Sequence, residues 1–156
     1  MTDEWLSSSR FDDLASTIDR QPVSGWSTSW TPDVLRWRLA CPHARYWVHV
    51  ADDVAVVSTR SRFGPLRATV ILKLFPLVTG GLPIDATRTI RTITRRHRSL
   101  FAVYAGFNES VRVRGVRPPR RLQPSPLNLI IRKLDPAVDQ DALVLDTFEF
   151  LDMDAY

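Results

Sequence analysis

Between Arg45 and Pro76 the apolar residues recur with a period of two, and this stretch constrains the fold more than any other. It contains three β-rich runs: Tyr46-Trp-Val-His-Val50, Val54-Ala-Val-Val-Ser-Thr59 and Arg67-Ala-Thr-Val-Ile-Leu-Lys-Leu-Phe75. Ala51-Asp52-Asp53 and Arg62-Phe-Gly-Pro65 separate them with residues that favour turns. Such short connections predict an antiparallel three-stranded meander. The third run is the most continuously apolar, so it is expected to be central in the sheet and covered on both faces.

Two short helices are expected ahead of the meander. In residues 10–19, Phe11, Leu14, Ala15 and Ile18 stand at helical spacing, with Asp12 and Asp13 in the first turn, where the helix dipole favours acids. Gly25 to Trp30 reads as a loop, after which Thr31 is placed to cap a second helix with Pro32 at its first position. That helix is predicted over roughly 32–40, ending at Cys41-Pro42 because a residue before proline avoids the helical region.

Beyond the meander, Thr79-Gly80-Gly81-Leu82-Pro83 breaks the sheet. A helix over about 84–98 then places Ala86, Ile90, Ile93 and His97 on one stripe with arginines opposite. Leu100 to Tyr104 is expected to be a buried strand, and Asn108 to Arg114 a short, weakly helical stretch ending at Gly115. Pro118 to Pro126 reads as an extended loop, and Leu127–Arg132 and Val144–Phe150 as two further strands forming an antiparallel pair.

A chain of 156 residues with 44% apolar and 10% aromatic residues can bury one core, so residues 1–156 are read as a single domain. Cys41 is the only cysteine, which excludes an internal disulfide and any cysteine-based zinc site. His43, His49 and His97 are scattered, so no metal is expected. The acids Asp3 and Glu4 stand where a signal peptide needs basic residues, and no apolar run approaches the ~18 residues of a membrane span. A cytoplasmic, membrane-free protein is the expectation. The net charge of +4 is almost entirely arginine, with Lys73 and Lys133 the only lysines. Its clusters at Arg88–Arg98 and Arg112–Arg121 lack interleaved aromatics, which argues against nucleic acid.

The element order, together with Leu35-Arg-Trp-Arg-Leu39, Pro42, Tyr46 and the acidic ending Asp146-Thr-Phe-Glu-Phe-Leu-Asp-Met-Asp154, resembles the C-terminal half of bacterial proteins of the Gcn5-related N-acetyltransferase (GNAT) superfamily. The resemblance covers about residues 31–156, with residues 1–30 as an N-terminal helix and loop. It implies an α/β (α+β) fold, a mixed and mostly antiparallel sheet flanked by helices and lacking the family's first strand. The exposed sheet edge left by that strand would favour a homo-oligomer.

The resemblance further implies an acyl-CoA-dependent N-acyltransferase that carries an acetyl group from acetyl-CoA to a small-molecule amine. In that family two neighbouring strands splay to admit pantetheine, and a following loop and helix N-terminus hold the pyrophosphate. By position, Leu74, Phe75, Thr79, Gly80, Gly81 and Asn108 would bind the cofactor. Gly80 and Gly81 permit close backbone approach, while Pro76 and Pro83 each lack an N–H donor and Asp85 adds negative charge there. The chemistry needs a base for the amine and an acid for the departing thiolate. Tyr104, Asn108 and Glu109 are the implied catalytic group, with Glu149 and His49 as further candidate bases. Two other readings stand beside this one. The first is a non-catalytic GNAT-like module for substrate binding or dimerisation, with a degenerate cofactor site, and the second is a small protein holding an acidic metabolite on its basic 112–121 loop.

Other residues read as structural. Trp37 is expected to be buried, with Arg36 and Arg38 on sheet edges or paired to carboxylates. Trp5, Trp26, Trp30 and Trp47 are expected to anchor the core, Cys41 to be a small buried hydrophobe, and Asp146, Asp152 and Asp154 to be solvated or paired with arginines.

Overall fold

The computed structural model describes residues 3–20, 25–42, 44–78, 80–119 and 144–153. The expected strand at Leu127–Arg132, most of the 118–126 loop, and the positions of His43, Thr79 and Asp154 lie outside them.

Three helices open the chain: α1 (Asp3–Leu6), α2 (Ser9–Asp19) and α3 (Pro32–Leu39). The α2 start is capped by the Ser8 hydroxyl, which accepts from the Phe11 N–H, and its buried residues are the four that the spacing selects. Thr31 caps α3 by accepting from the Val34 N–H, with Pro32 in the first turn as expected.

The meander follows as β1 (Trp47–Val50), β2 (Val54–Phe63) and β3 (Leu66–Pro76), all antiparallel. The β2–β3 turn is tighter than expected, because both strands run up to Gly64-Pro65. A short strand, β4 (Ile84–Asp85), leads into α4 (Thr87–Arg96), after which β5 (Phe101–Tyr104) pairs in parallel with β3. The main sheet therefore has the order β1-β2-β3-β5, with β3 internal and buried from Ala68 to Phe75. The fold is mixed α+β with a mostly antiparallel sheet, and four helices lie among the described residues.

Helices α1 to α3 cover one face of the sheet around Phe11, Leu35, Tyr46, Val70 and Leu72. Helix α4 covers the other around Val56, Ile71, Leu74, Ile90 and Ile93. Its expected stripe of Ala86, Ile90, Ile93 and His97 is buried throughout. A bulge sits where Val57 faces Lys73 and Ser58 faces Ile71, leaving Leu72 as the extra residue in β3. The shift puts Leu72, Lys73 and Phe75 on the side of α1–α3, and so turns a lysine inward.

Four expectations are corrected. Residues 108–114 are not helical: β6 (Gly106–Asn108) and β7 (Val111–Arg112) are strands, joined by a turn in which Asn108 Oδ1 accepts from the Ser110 and Val111 N–H groups. Helix α4 is shorter than 84–98, because Ile84 and Asp85 pair with Val111 and Arg112 instead and Arg98 (φ 53°) ends it. Strand β5 is a half-buried edge rather than a buried strand. Trp37 is 70% exposed while Arg38 is buried with its guanidinium donating to the Met153 carbonyl, since Leu35, Arg38 and Leu39, at i, i+3 and i+4, share the core-facing side of α3.

Candidate functional site

Strand β3 outruns its parallel partner. Pairing between β3 and β5 ends at Ile71↔Tyr104, yet β3 continues to Pro76. Past Tyr104 the chain turns at Gly106 (φ 125°) into β6, which pairs with β8 (Thr147–Glu149) in the register Gly106↔Glu149 and Asn108↔Thr147. Only glycine suits position 106, because a Cβ there would meet the Phe148 carbonyl oxygen. The C-terminal stretch also reaches the 25–30 loop, with Trp26 N–H donating to Val144 O at 2.7 Å and Gly25 N–H to Asp146 Oδ2 at 2.7 Å.

These segments wall a cleft of about 690 Å³. The end of β3, the Gly80–Ile84 loop, Asn108–Ser110, Asp146–Thr147 and the Gly25–Trp30 loop line it. Of the residues that sequence reasoning assigned to a site, Leu74, Phe75, Gly80, Gly81, Asn108 and Glu109 meet here. Tyr104 does not line the cleft, and His49 lies elsewhere, beside His97 with ring centroids 5.3 Å apart.

Below the cleft lies a charged group that the sequence did not single out. Lys73 Nζ is 2.6 Å from Asp152 Oδ2 and 3.2 Å from Glu149 Oε2, and it donates to Thr147 Oγ1 at 3.2 Å. The three charged side chains are essentially out of solvent. Asp152 also accepts from Trp30 Nε1 at 3.1 Å and from the Glu149 N–H at 2.7 Å. A 3-10 turn at Phe150–Asp152 makes this geometry by bringing Asp152 back over Glu149. Asp152 thus finds a lysine rather than an arginine. The only sequence signal was a lysine inside the most apolar run of an arginine-rich chain.

Glu149 seals the gap where β3 outruns β5. Its Oε2 accepts from the Leu74 N–H at 3.4 Å, and Asn108 Nδ2 donates to the Leu74 carbonyl at 2.9 Å and to Glu149 Oε2 at 3.3 Å. Both backbone groups that Leu74 turns toward the gap are therefore satisfied by side chains. Burial raises the Glu149 carboxyl above its ordinary value, and nearby Lys73 offsets this in part. The Tyr104 hydroxyl is buried beside this carboxylate. Burial first, and then the Glu149 charge, push the Tyr104 phenol well above its usual range.

The helix end beside the cleft is closed in a similar way. Asp85 Oδ1 accepts from the Thr87 N–H at 3.0 Å at the start of α4, and Asp85 Oδ2 lies 3.1 Å from Arg114 Nε. Those contacts hold the Asp85 carboxyl below its usual value, the Thr87 hydrogen bonds contributing most. The cleft carries the acids Asp19, Glu109 and Asp146, and Lys73, its one cation among the described lining residues, is already paired. Such a lining suits a cation better than a phosphate. No three metal-ligating side chains cluster among the described residues, and no helix there is long and apolar enough to cross a membrane.

Comparison of the chain with protein-family models, with curated proteins and with solved structures finds no match in any of the three.

Proposed function

We propose that this chain is a non-catalytic GNAT-like module whose cleft binds a small cationic amine. The observation that carries this reading is the double capping of Leu74. In the GNAT arrangement implied by the sequence, pantetheine enters between splayed strands and uses such free backbone groups, and here Glu149 and Asn108 take both. The Asp85 cap on α4 opposes a pyrophosphate at the neighbouring helix start, and Asp19 and Glu109 supply the negative field that an ammonium ligand requires.

The experiment is calorimetry of the purified protein with acetyl-CoA and with a panel of primary amines. Saturable binding of an amine, weakened about tenfold by Glu109→Gln, is expected, with no uptake of acetyl-CoA at millimolar concentration. Failure of every amine would remove the proposal.

The second reading, an acyl-CoA-dependent N-acyltransferase, is favoured by one observation. Strand β3 extends past its last pair with β5 into a cleft that gathers Leu74, Phe75, Gly80, Gly81 and Asn108. Micromolar binding of acetyl-CoA in the same titration would put this reading first.

A further inference from the structure

At the other end of β3, about 20 Å from the cleft at the usual rise per strand residue, the sheet carries an unrelated concavity. The pairs Arg60↔Thr69 and Arg62↔Arg67 put these four side chains on one face of the β2–β3 hairpin. That face is the one under α4, because Thr69 Oγ1 is 3.2 Å from Nδ1 of His97, the residue that ends the helix. Together with Ser61, His97 and Ser99, the three arginines line a hollow of about 480 Å³.

Three features make this hollow more than an arginine-rich surface. Arg62 and Arg67 are direct cross-strand neighbours, an arrangement that destabilises a sheet unless something compensates the like charges. None of Arg60, Arg62 and Arg67 is ion-paired with a carboxylate among the described residues. Arg60 is instead held over the Trp47 ring, 4.7 Å from its centroid. Finally, Ser99 Oγ and His97 Nε2 are buried without hydrogen-bond partners among the described residues, and His97 is only 4% exposed.

The carbonyls that end α4 do not compete for an anion. Those of Ile93, Thr94 and Arg95 already accept from the N–H groups of His97, Ser99 and Arg98. His97 is held down to about 4 by burial first, then by His49 and Arg60, so at neutral pH the arginines supply the positive charge.

We propose that this hollow binds the phosphate group of a small phosphorylated molecule, gripped by Arg60, Arg62 and Arg67. Guanidinium forks match phosphate oxygens in pairs, and an anion between Arg62 and Arg67 removes their repulsion. Three arginines gathered on one short hairpin make a compact cluster that fits a small ligand better than a long polyanion, which needs an extended stripe of charge. The proposal is independent of the amine-binding reading.

The test is calorimetry with pyrophosphate as the probe, in low-salt buffer free of phosphate. Saturable binding is expected, at least tenfold weaker in an Arg62→Ala/Arg67→Ala double variant whose thermal midpoint matches the wild type. An Arg88→Ala/Arg91→Ala variant removes equal charge from the exposed side of α4 and should change affinity less than twofold. Absence of saturable binding by the wild type, or equal losses in the two double variants, overturns the proposal. So does a single-stranded oligonucleotide that displaces pyrophosphate at lower concentration through the same two arginines, which would assign the site to nucleic acid.

Discussion

Lys73 Nζ stands 2.6 Å from Asp152 Oδ2, joining the internal strand of the sheet to the C-terminal turn with both side chains out of solvent. A buried pair is costly to assemble but costlier to break, since removing one partner strands the other charge in a low-dielectric interior. Lys73→Met should therefore destabilise the protein by about 3–5 kcal/mol in urea unfolding. The triple change Lys73→Met, Glu149→Gln, Asp152→Leu should recover part of that loss. A single-variant loss below about 1 kcal/mol would mean that water reaches the pair in solution.

Phe11 and Trp37 separate burial from mere apolar character. Phe11 is fully buried, edge-on to Trp5 with centroids 5.3 Å apart, and the Arg36 guanidinium lies over its ring. Phe11→Ala should cost about 3–5 kcal/mol. Trp37 is 70% exposed, so Trp37→Ala should stay within about 0.5 kcal/mol by the same measurement.

That contrast marks where the sequence was legible. Elements whose order depends on nearest neighbours were readable: the α2 stripe, the Thr31 cap, the meander and the α4 stripe all follow from spacing and turn chemistry. Elements decided by distant partners were not. Residues 106–108 and 111–112 are extended because they pair with β8 and with Ile84 and Asp85, far away in the chain, and no local period reports this. The inward turn of Lys73 needs the bulge at Leu72, and its partner Asp152 lies 79 residues on. For the site, position along the chain sufficed to bring Leu74, Gly80, Gly81 and Asn108 to one cleft, but not to foresee that Asn108 and Glu149 would occupy the gap.

His97 should make stability pH-dependent. Its folded-state value is lowered to about 4, by burial above all, against an ordinary 6.5. Between these values the unfolded chain binds more protons than the folded one, so stability is fully present above pH 6.5 and falls as the pH drops toward 4. The Glu149 carboxyl, raised by burial, acts in the opposite sense, losing stability as the pH rises above its ordinary value of 4.5. The two are separated by difference: urea midpoints of wild type minus those of His97→Gln, in phosphate-free buffer, should fall steadily from pH 6.5 to 4. A flat difference would mean that His97 keeps an ordinary titration in the folded state.

Gly106 tests whether the wall of the cleft depends on one backbone position. It holds φ at 125°, a region that side chains avoid, and an added Cβ would stand 2.2 Å from the Phe148 carbonyl oxygen and 2.8 Å from the Glu149 Cα. Backbone strain alone is worth about 1–3 kcal/mol, and relieving the clash requires β6 to move away from β8. Gly106→Ala should therefore lower stability by at least that amount and also release the Asn108 and Glu149 side chains from Leu74, since both ride on the displaced pair. Hydrogen exchange reports the second effect, with the Leu74 amide losing protection more than that of Ala55 in β2. Gly115→Ala is the control, because nothing lies within 4 Å of its added Cβ, and it should leave both measurements unchanged. Equal behaviour of the two variants would mean that the β6–β8 pair gives way easily and that the gap beside Leu74 opens without it.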